Sequence, residues 1–155
     1  MHGPQRIVSL LASATEILAS LGLLDKLKAI SHECDYPPGV VDRPRVTRST
    51  LSSALSSVEI DDTVRRQLGA GESLYQLDVD EICRIGPDLI ITQAQCDVCA
   101  VRYQDVLELL ESNPSLHSRV LPLNPASLEE ILADIGQVGR ATGCQEKAEQ
   151  LVSQL

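Results

Sequence analysis

The segment RIVSLLASATEIL, residues 6–18, decides the fold, because it predicts a short buried strand that leads directly into a helix. Residues 6–11 form a mostly apolar run before a stretch of small residues, as in a parallel strand that ends at a tight turn. Ser13 is predicted to cap the helix, with Glu16 three residues later completing a capping box. A second short strand is predicted at residues 28–31, which gives a β-α-β opening.

The alternation of strands and helices continues along the chain. Further strands are predicted at residues 45–47, 88–92 and 119–123, and helices at residues 58–68, 78–85 and 101–111. From Ser127 the pattern is helical, with a break expected at Gly143 and with an apolar stripe that comprises Leu128, Ile131, Leu132, Ile135 and Val138. The expected fold is α/β and three-layered: a mostly parallel sheet flanked by helices, ending in a long connector helix.

The composition narrows the function classes. Of 155 residues, 43% are hydrophobic, and with no Phe, no Trp and only three tyrosines the core must be built from aliphatic side chains. A formal net charge of -9 argues against a nucleic-acid partner and suits neutral or cationic ligands. No stretch approaches the roughly 20 apolar residues of a membrane span, so the chain is not expected to be membrane-embedded.

The cysteines leave three hypotheses open. His32-x-Cys34 and Cys96-x-x-Cys99 together offer four ligands that suit zinc. The Cys-x-x-Cys pair, placed before a predicted helix, also suits redox chemistry. The third hypothesis is that these thiols are simply buried, as free cysteines often are. No phosphate-binding glycine loop and no nucleophile–base–acid set accompany them, so an enzyme is not expected.

Three segments carry a family resemblance: residues 6–18, residues 31–38 with their Asp-Tyr-Pro-Pro motif, and residues 80–92 with Gly-Pro-Asp-Leu-Ile-Ile. In this order they resemble the class III, helical-backbone periplasmic binding proteins, which serve ABC importers of cobalamin and iron siderophores. The resemblance implies non-covalent capture of a cobalamin-like corrinoid or another metal chelate, with an ABC permease as partner.

The resemblance also implies site residues. Tyr36 would offer an aromatic face to a large planar ligand, and Glu81 would pair with arginines of the permease. The implied ligand-binding positions are Ala12, Ser13, Ala14, Tyr36, Thr47, Arg48 and Gln93. The competing hypothesis is a metal- or thiol-dependent protein that uses His32, Cys34, Cys96 and Cys99.

The resemblance further implies an organisation in lobes. Residues 1–126 would be the N-terminal ligand-binding lobe, and residues 127–155 would begin the connector helix to a second lobe that this chain lacks. A homodimer that rebuilds the cleft is an alternative. A periplasmic or extracellular location is implied, although residues 1–11 do not form a signal peptide, which leaves a cytoplasmic location open.

Overall fold

The computed structural model describes residues 3–51, 54, 56–95 and 100–155. The strands are β1 (Ile7–Ser9), β2 (Leu27–Ile30), β3 (Thr47–Ser49), β4 (Tyr75–Leu77), β5 (Leu89–Gln93) and β6 (Arg119–Leu123). The helices are α1 (Ala12–Ser20), α2 (Ser57–Gly69), α3 (Val79–Ile85), α4 (Tyr103–Ser112), α5 (Leu128–Thr142) and α6 (Gln145–Gln154). A short 3-10 turn spans Pro38–Val40.

The main sheet has the strand order β2-β1-β5-β6, and its pairings are all parallel. Strands β3 and β4 form a separate antiparallel ribbon. These observations confirm the expected α/β fold with a mostly parallel sheet. Each crossover between neighbouring strands carries a helix, as parallel connections require.

Alternate residues along the strands face two different cores, which makes the molecule three-layered. Ile7, Leu89 and Ile91 pack on one face, in a core shared with α1, α5 and α6. Val8 and Ile90 pack on the other face, in a core shared with α3 and α4. Strands buried on both faces have continuous apolar sequences, and this explains why β5 is so clear in the sequence.

The start of α1 differs from the prediction. The helix begins at Ala12, Leu11 occupies the N-cap position, and no side chain caps the helix. Ser13 therefore lies inside the first turn, and the predicted capping box is wrong. Nearby hydroxyls bond instead to one another, because the Thr15 hydroxyl donates to Ser9 Oγ at 2.8 Å.

The C-terminal region is two helices, and the expected break at Gly143 is confirmed. Gly143 adopts a φ of 73°, a left-handed conformation that ends α5. Ala148 of α6 then packs into the same core as Ile135 and Val138 of α5. The role of residues 127–155 as the start of a connector stays a prediction.

The apolar stripe predicted for α5 is only partly buried. Ile135 and Val138 are buried, but Leu128 is 68% exposed and Ile131 is 49% exposed. The first turn of α5 follows the carboxyl end of β6 after only a few residues. We attribute the exposure to this position, since the sheet no longer lies beneath that turn.

The β3–β4 ribbon extends past the carboxyl end of the main sheet. Arg45 forms a parallel bridge with Ile30, the last residue of β2, and the chain continues from there into β3. The return strand β4 ends where the Asp78 amide donates to the Val46 carbonyl at 2.9 Å. Helix α2, which links β3 to β4, accordingly lies beyond the sheet end.

We expect Gly139→Ala to destabilise the fold, because α5 and α6 cross closely at this residue. A Cβ added at Gly139 would lie 2.4 Å from the Ala148 Cβ. Overpacking of this kind costs about 1–3 kcal/mol in the free energy of unfolding, measurable by urea denaturation. Gly136→Ala is the matched control, because its Cβ would meet only the flexible Arg140 side chain at 3.3 Å. Equal stabilities of the two variants would contradict this account of the helix crossing.

Candidate functional site

The carboxyl ends of the four parallel strands define a candidate binding face. We call this surface the sheet-end face. It comprises residues 10–13, 31–36, 93–95 and 124–126, which lie at or directly after the ends of β1, β2, β5 and β6. Doubly wound sheets bind ligands outside the carboxyl ends of their strands. The geometry of the loop after β2 is the most informative part of this face.

A hydroxyl network holds the loop after β2. The Thr47 Oγ1 accepts a bond from the His32 amide at 2.9 Å and lies 3.0 Å from Ser31 Oγ and 2.7 Å from His32 Nδ1. His32 Nε2 lies 3.0 Å from a Glu33 carboxylate oxygen. Thr47 can donate to Nδ1 while it accepts from Ser31 and from the His32 amide, whereas the buried Nε2 has no hydrogen-bond partner among the described residues, although it lies close to Glu33.

This hydroxyl–imidazole–carboxylate order resembles that of a catalytic triad, but the hydroxyl is poorly placed for nucleophilic attack. Thr47 is only 5% exposed, and its oxygen already has three polar neighbours. A nucleophile must reach a substrate carbon, and a buried oxygen with this many partners does not. The network therefore fixes the loop after β2.

Arg45 holds the same loop from behind. Its Nη1 donates to the carbonyl oxygens of Ser31 at 3.4 Å, His32 at 2.8 Å and Cys34 at 3.0 Å. With its backbone held in this way, the loop presents Tyr36, whose side chain is 60% exposed. The exposed aromatic ring thus projects from a rigid support, which lowers the entropy cost of binding a ligand.

Cys34 is a buried structural thiol. It is 1% exposed, and its Sγ lies 3.2 Å from Thr15 Oγ1. Burial raises the pKa of the Cys34 thiol, although the Thr15 hydrogen bond and the Arg45 charge oppose this rise. The thiolate that binds metals and performs redox chemistry is therefore disfavoured here.

The structure gives the four-ligand metal hypothesis no support at the positions that it describes. Cys96 and Cys99 lie outside the described residues. His32 Nδ1 is already bonded to Thr47, while Nε2 lies 3.0 Å from a Glu33 carboxylate oxygen without a hydrogen bond among the described residues. Over residues 3–51, 54, 56–95 and 100–155, no group of three or more His, Cys, Asp or Glu side chains could hold a metal ion.

The other residues that the resemblance implied as ligand contacts differ in whether their side chains are exposed enough to meet a ligand. Ser13 is exposed and Ala12 is half-buried, so both can meet a ligand at the sheet-end face. Ala14 is fully buried in the core with α5, and Thr47 is turned into its hydroxyl network, so neither side chain is available. Gln93, at the end of β5, is also buried, with 7% of its surface exposed.

Two further residues that the family resemblance implied, Arg48 and Glu81, lie on the side of the molecule that carries the β3–β4 ribbon. Arg48 is exposed on β3, and its Nε donates to the Gln76 side chain on β4 at 2.8 Å. Glu81 lies in the first turn of α3 and forms an ion pair with Arg84, whose Nε donates to it at 2.7 Å. This pair keeps the pKa of the Glu81 carboxyl below its usual range.

The sequence did not predict a second group of contacts that hold a loop in place, which is centred on Arg102. Its guanidinium contacts the Asp105 carboxylate and donates to the Gly71 carbonyl at 3.1 Å. The Ser73 hydroxyl also donates to Asp105, at 2.8 Å. The start of α4 is thereby tied to the segment between α2 and β4. Arg and Asp three residues apart signalled a local ion pair, but nothing in the sequence signalled the contact with residues 71–73.

We expect Cys34 to react slowly with iodoacetamide in the folded protein, because its thiol is buried and its pKa is raised. Peptide mapping by mass spectrometry at pH 8 should show labelling at least about tenfold slower than in urea. Half-buried Cys144 serves as the internal control and should be less protected. Equal rates for Cys34 in the native and unfolded protein would contradict the structural assignment.

The fold is similar to that of solved periplasmic ligand-binding proteins that are longer than this chain. The vitamin B12-binding protein BtuF of Vibrio cholerae matches 99% of this chain with a TM-score of 0.68 and 22% identity. A periplasmic heme-binding protein of Pseudomonas aeruginosa matches 97% with a TM-score of 0.67 and 21% identity.

One sequence relative agrees with these structures. The ABC transporter substrate-binding lipoprotein YvrC of Bacillus subtilis strain 168 is 26% identical over 153 residues, which are 98% of this chain. No family model matches the chain. The resemblance seen in the sequence is confirmed, since each of these relatives is named as a binding protein.

The chain spans less than half of these relatives. It covers 38% of the B. subtilis lipoprotein, 48% of the V. cholerae protein and 43% of the P. aeruginosa protein. Among the helices that the structure describes, none is long and apolar enough to cross a membrane.

Proposed function

We propose that this chain is the ligand-binding lobe of a substrate-binding protein of an ABC importer. It would capture a cobalamin-like corrinoid or another metal chelate without covalent chemistry. The observation that carries the proposal is the match of 97–99% of the chain to binders of vitamin B12 and heme, at TM-scores of 0.67–0.68. The location would be periplasmic or extracellular, and the two structural relatives are named as periplasmic proteins.

The sheet-end face has the properties that capture requires. Tyr36 is exposed on a loop that Arg45 and Thr47 hold in place. Ser13 and Ala12 lie at the start of α1, at the end of the neighbouring strand β1. A single lobe supplies one wall of a cleft, so either a second lobe or a second copy of the chain would supply the other.

We expect ligand binding to stabilise the folded chain, with Tyr36 as the main contact. Cobalamin and heme, each titrated separately at about ten times the dissociation constant, should raise the free energy of unfolding by about 1.4 kcal/mol for whichever binds. Tyr36→Ala should weaken binding about tenfold through loss of the ring, whereas Tyr36→Phe should retain it.

Calorimetric titration gives the affinities, and circular dichroism of each variant controls for folding. Because Tyr36 is exposed, neither substitution should lower the melting temperature. No stabilisation by either compound, or unchanged affinity in Tyr36→Ala, would argue against the proposal.

We propose that Asp80, rather than Glu81, forms the ion pair with the permease. Glu81 is neutralised by its Arg84 partner within α3. Asp80 is exposed in the same turn, and it has no partner among the residues that the structure describes. A carboxylate without an internal partner is the better candidate for an ion pair with permease arginines, because no existing pair must be broken.

Asp80→Asn should therefore reduce stimulation of the importer's ATP hydrolysis in proteoliposomes, by about fivefold if one rim ion pair worth about 1 kcal/mol is lost. Glu81→Gln should change it less, and Asp25→Asn, before β2, serves as a control for the loss of one charge. A larger effect from Glu81→Gln than from Asp80→Asn would restore Glu81 as the docking residue.

A further inference from the structure

Asp134 is a buried carboxylate without a basic partner among the described residues. It is 4% exposed and is the first residue of α5 that is buried. Its hydrogen-bond partner in that part of the chain is Gln137, whose Nε2 donates to Oδ1 at 2.8 Å, and none of the ion pairs includes it. A charge taken out of water without an opposite charge costs free energy, so this carboxylate requires a physical explanation.

A cavity of about 500 Å³ lies beside Asp134, at the end of β6. Its walls come from α5, from Pro122 and from residues 124–126, and Glu130 is the other charged residue in them. Glu130 is exposed and carries the same sign of charge as Asp134. Helices α1 and α6 and strand β6 also pack against α5. Their charged residues all lie outside the cavity walls: Glu16, Arg119, Glu146, Lys147 and Glu149.

These surroundings favour the protonated form of Asp134. Burial raises the pKa of the Asp134 carboxyl above its ordinary value, and the charge of Glu130 raises it further. A group whose pKa is higher in the folded chain than in the unfolded chain stabilises the fold when it is protonated. This contribution is complete below the ordinary aspartate pKa of about 3.9, and it is lost as the pH rises through the raised pKa.

The first two turns of α5 are the part of the helix that an ionised Asp134 can displace. Leu128 is 68% exposed and Ile131 is 49% exposed, so the side chains that precede Asp134 do little to hold these turns in place. The turn before the helix is held by Glu130, whose carboxylate accepts a bond from the Ala126 amide at 2.6 Å. An ionised Asp134, four residues after Glu130 on the same helix, places a like charge near this bond.

We propose that Asp134 is a proton-operated switch for the start of α5 and for the turn before it. With a proton on Asp134, residues 124–134 keep the packed arrangement of this structure. Without the proton, the charge of Asp134 draws water into the cavity and, together with Glu130, loosens these residues. Because residues 124–126 belong to the sheet-end face, the pH then determines how firmly one of its four segments is held. The switch operates in the chain itself and does not depend on ligand capture.

Asp134→Asn tests the switch, because an amide has nearly the shape of a carboxylic acid and cannot ionise. At pH 7.5 the variant should melt at least about 2 °C above the wild-type chain. At pH 4, where more of the wild-type carboxyl is protonated, the difference should fall to less than half of that value. Asp25→Asn, at an exposed position before β2, is the matched control for the loss of one charge and should show neither effect.

Amide hydrogen exchange followed by NMR shows where the effect lies. The Ala126 amide donates to Glu130, and the Ile131 amide donates to the Ser127 carbonyl at 3.0 Å. At pH 7.5 both amides should exchange at least about threefold more slowly in Asp134→Asn than in the wild-type chain. The Asp78 amide, which is bonded to Val46 in the ribbon, is the internal control and should change less.

Two results of the melts would overturn the switch: a lower melting temperature of Asp134→Asn at pH 7.5, or an equal gain at both pH values. Unchanged exchange at Ala126 and Ile131 would also overturn it, because any stabilisation would then arise elsewhere in the fold. None of these results bears on ligand capture, which the titrations with cobalamin and heme test separately.

Discussion

The position of β1 between β2 and β5 is the constraint on which the rest of the structure depends. Its three residues are fully buried and pair in parallel on both sides. The Asp88 carboxylate fixes the register of β1 against β5 at the amino ends of these strands. It accepts bonds from the backbone amides of Gln5 and Arg6 at 2.9 and 3.0 Å. With β1 fixed, the turn into α1 and the loop after β2 must emerge at the same end, and there the candidate site lies.

Much of the fold could be predicted from the sequence because it depends on local patterns. The apolar run of β5, the boundaries of β6 and the Ser127 cap all lie where their residue types place them, and the cap is visible as a 3.2 Å bond from the Glu130 amide. The start of α1 could not be predicted in this way. There the Thr15 hydroxyl donates to Ser9 across the turn, and no side chain caps the helix.

The sequence predicted which residues belong to the candidate site but not which of their side chains are exposed. Tyr36 is exposed beside the strand ends, as the resemblance implied, while Ala14 and Thr47 are buried. Nothing local distinguishes a threonine that meets a ligand from one that anchors a loop. The bonds that Arg45 Nη1 donates are equally invisible in the sequence, because they depend on carbonyl groups 11 to 14 residues away.

The attachment of the β3–β4 ribbon has an evolutionary consequence. The chain leaves the sheet after Arg45 and returns at Asp78, which is hydrogen-bonded to Val46, so both ends of this excursion meet at one place. Lengthening a loop whose ends are already joined costs little, since the closure entropy grows only with the logarithm of its length. Insertions and deletions within α2 can therefore accumulate in descendants, whereas β4 is constrained because Tyr75 and Leu77 pack against the second core. Helix α2 is accordingly the segment of this excursion whose length can vary with the least effect on the fold.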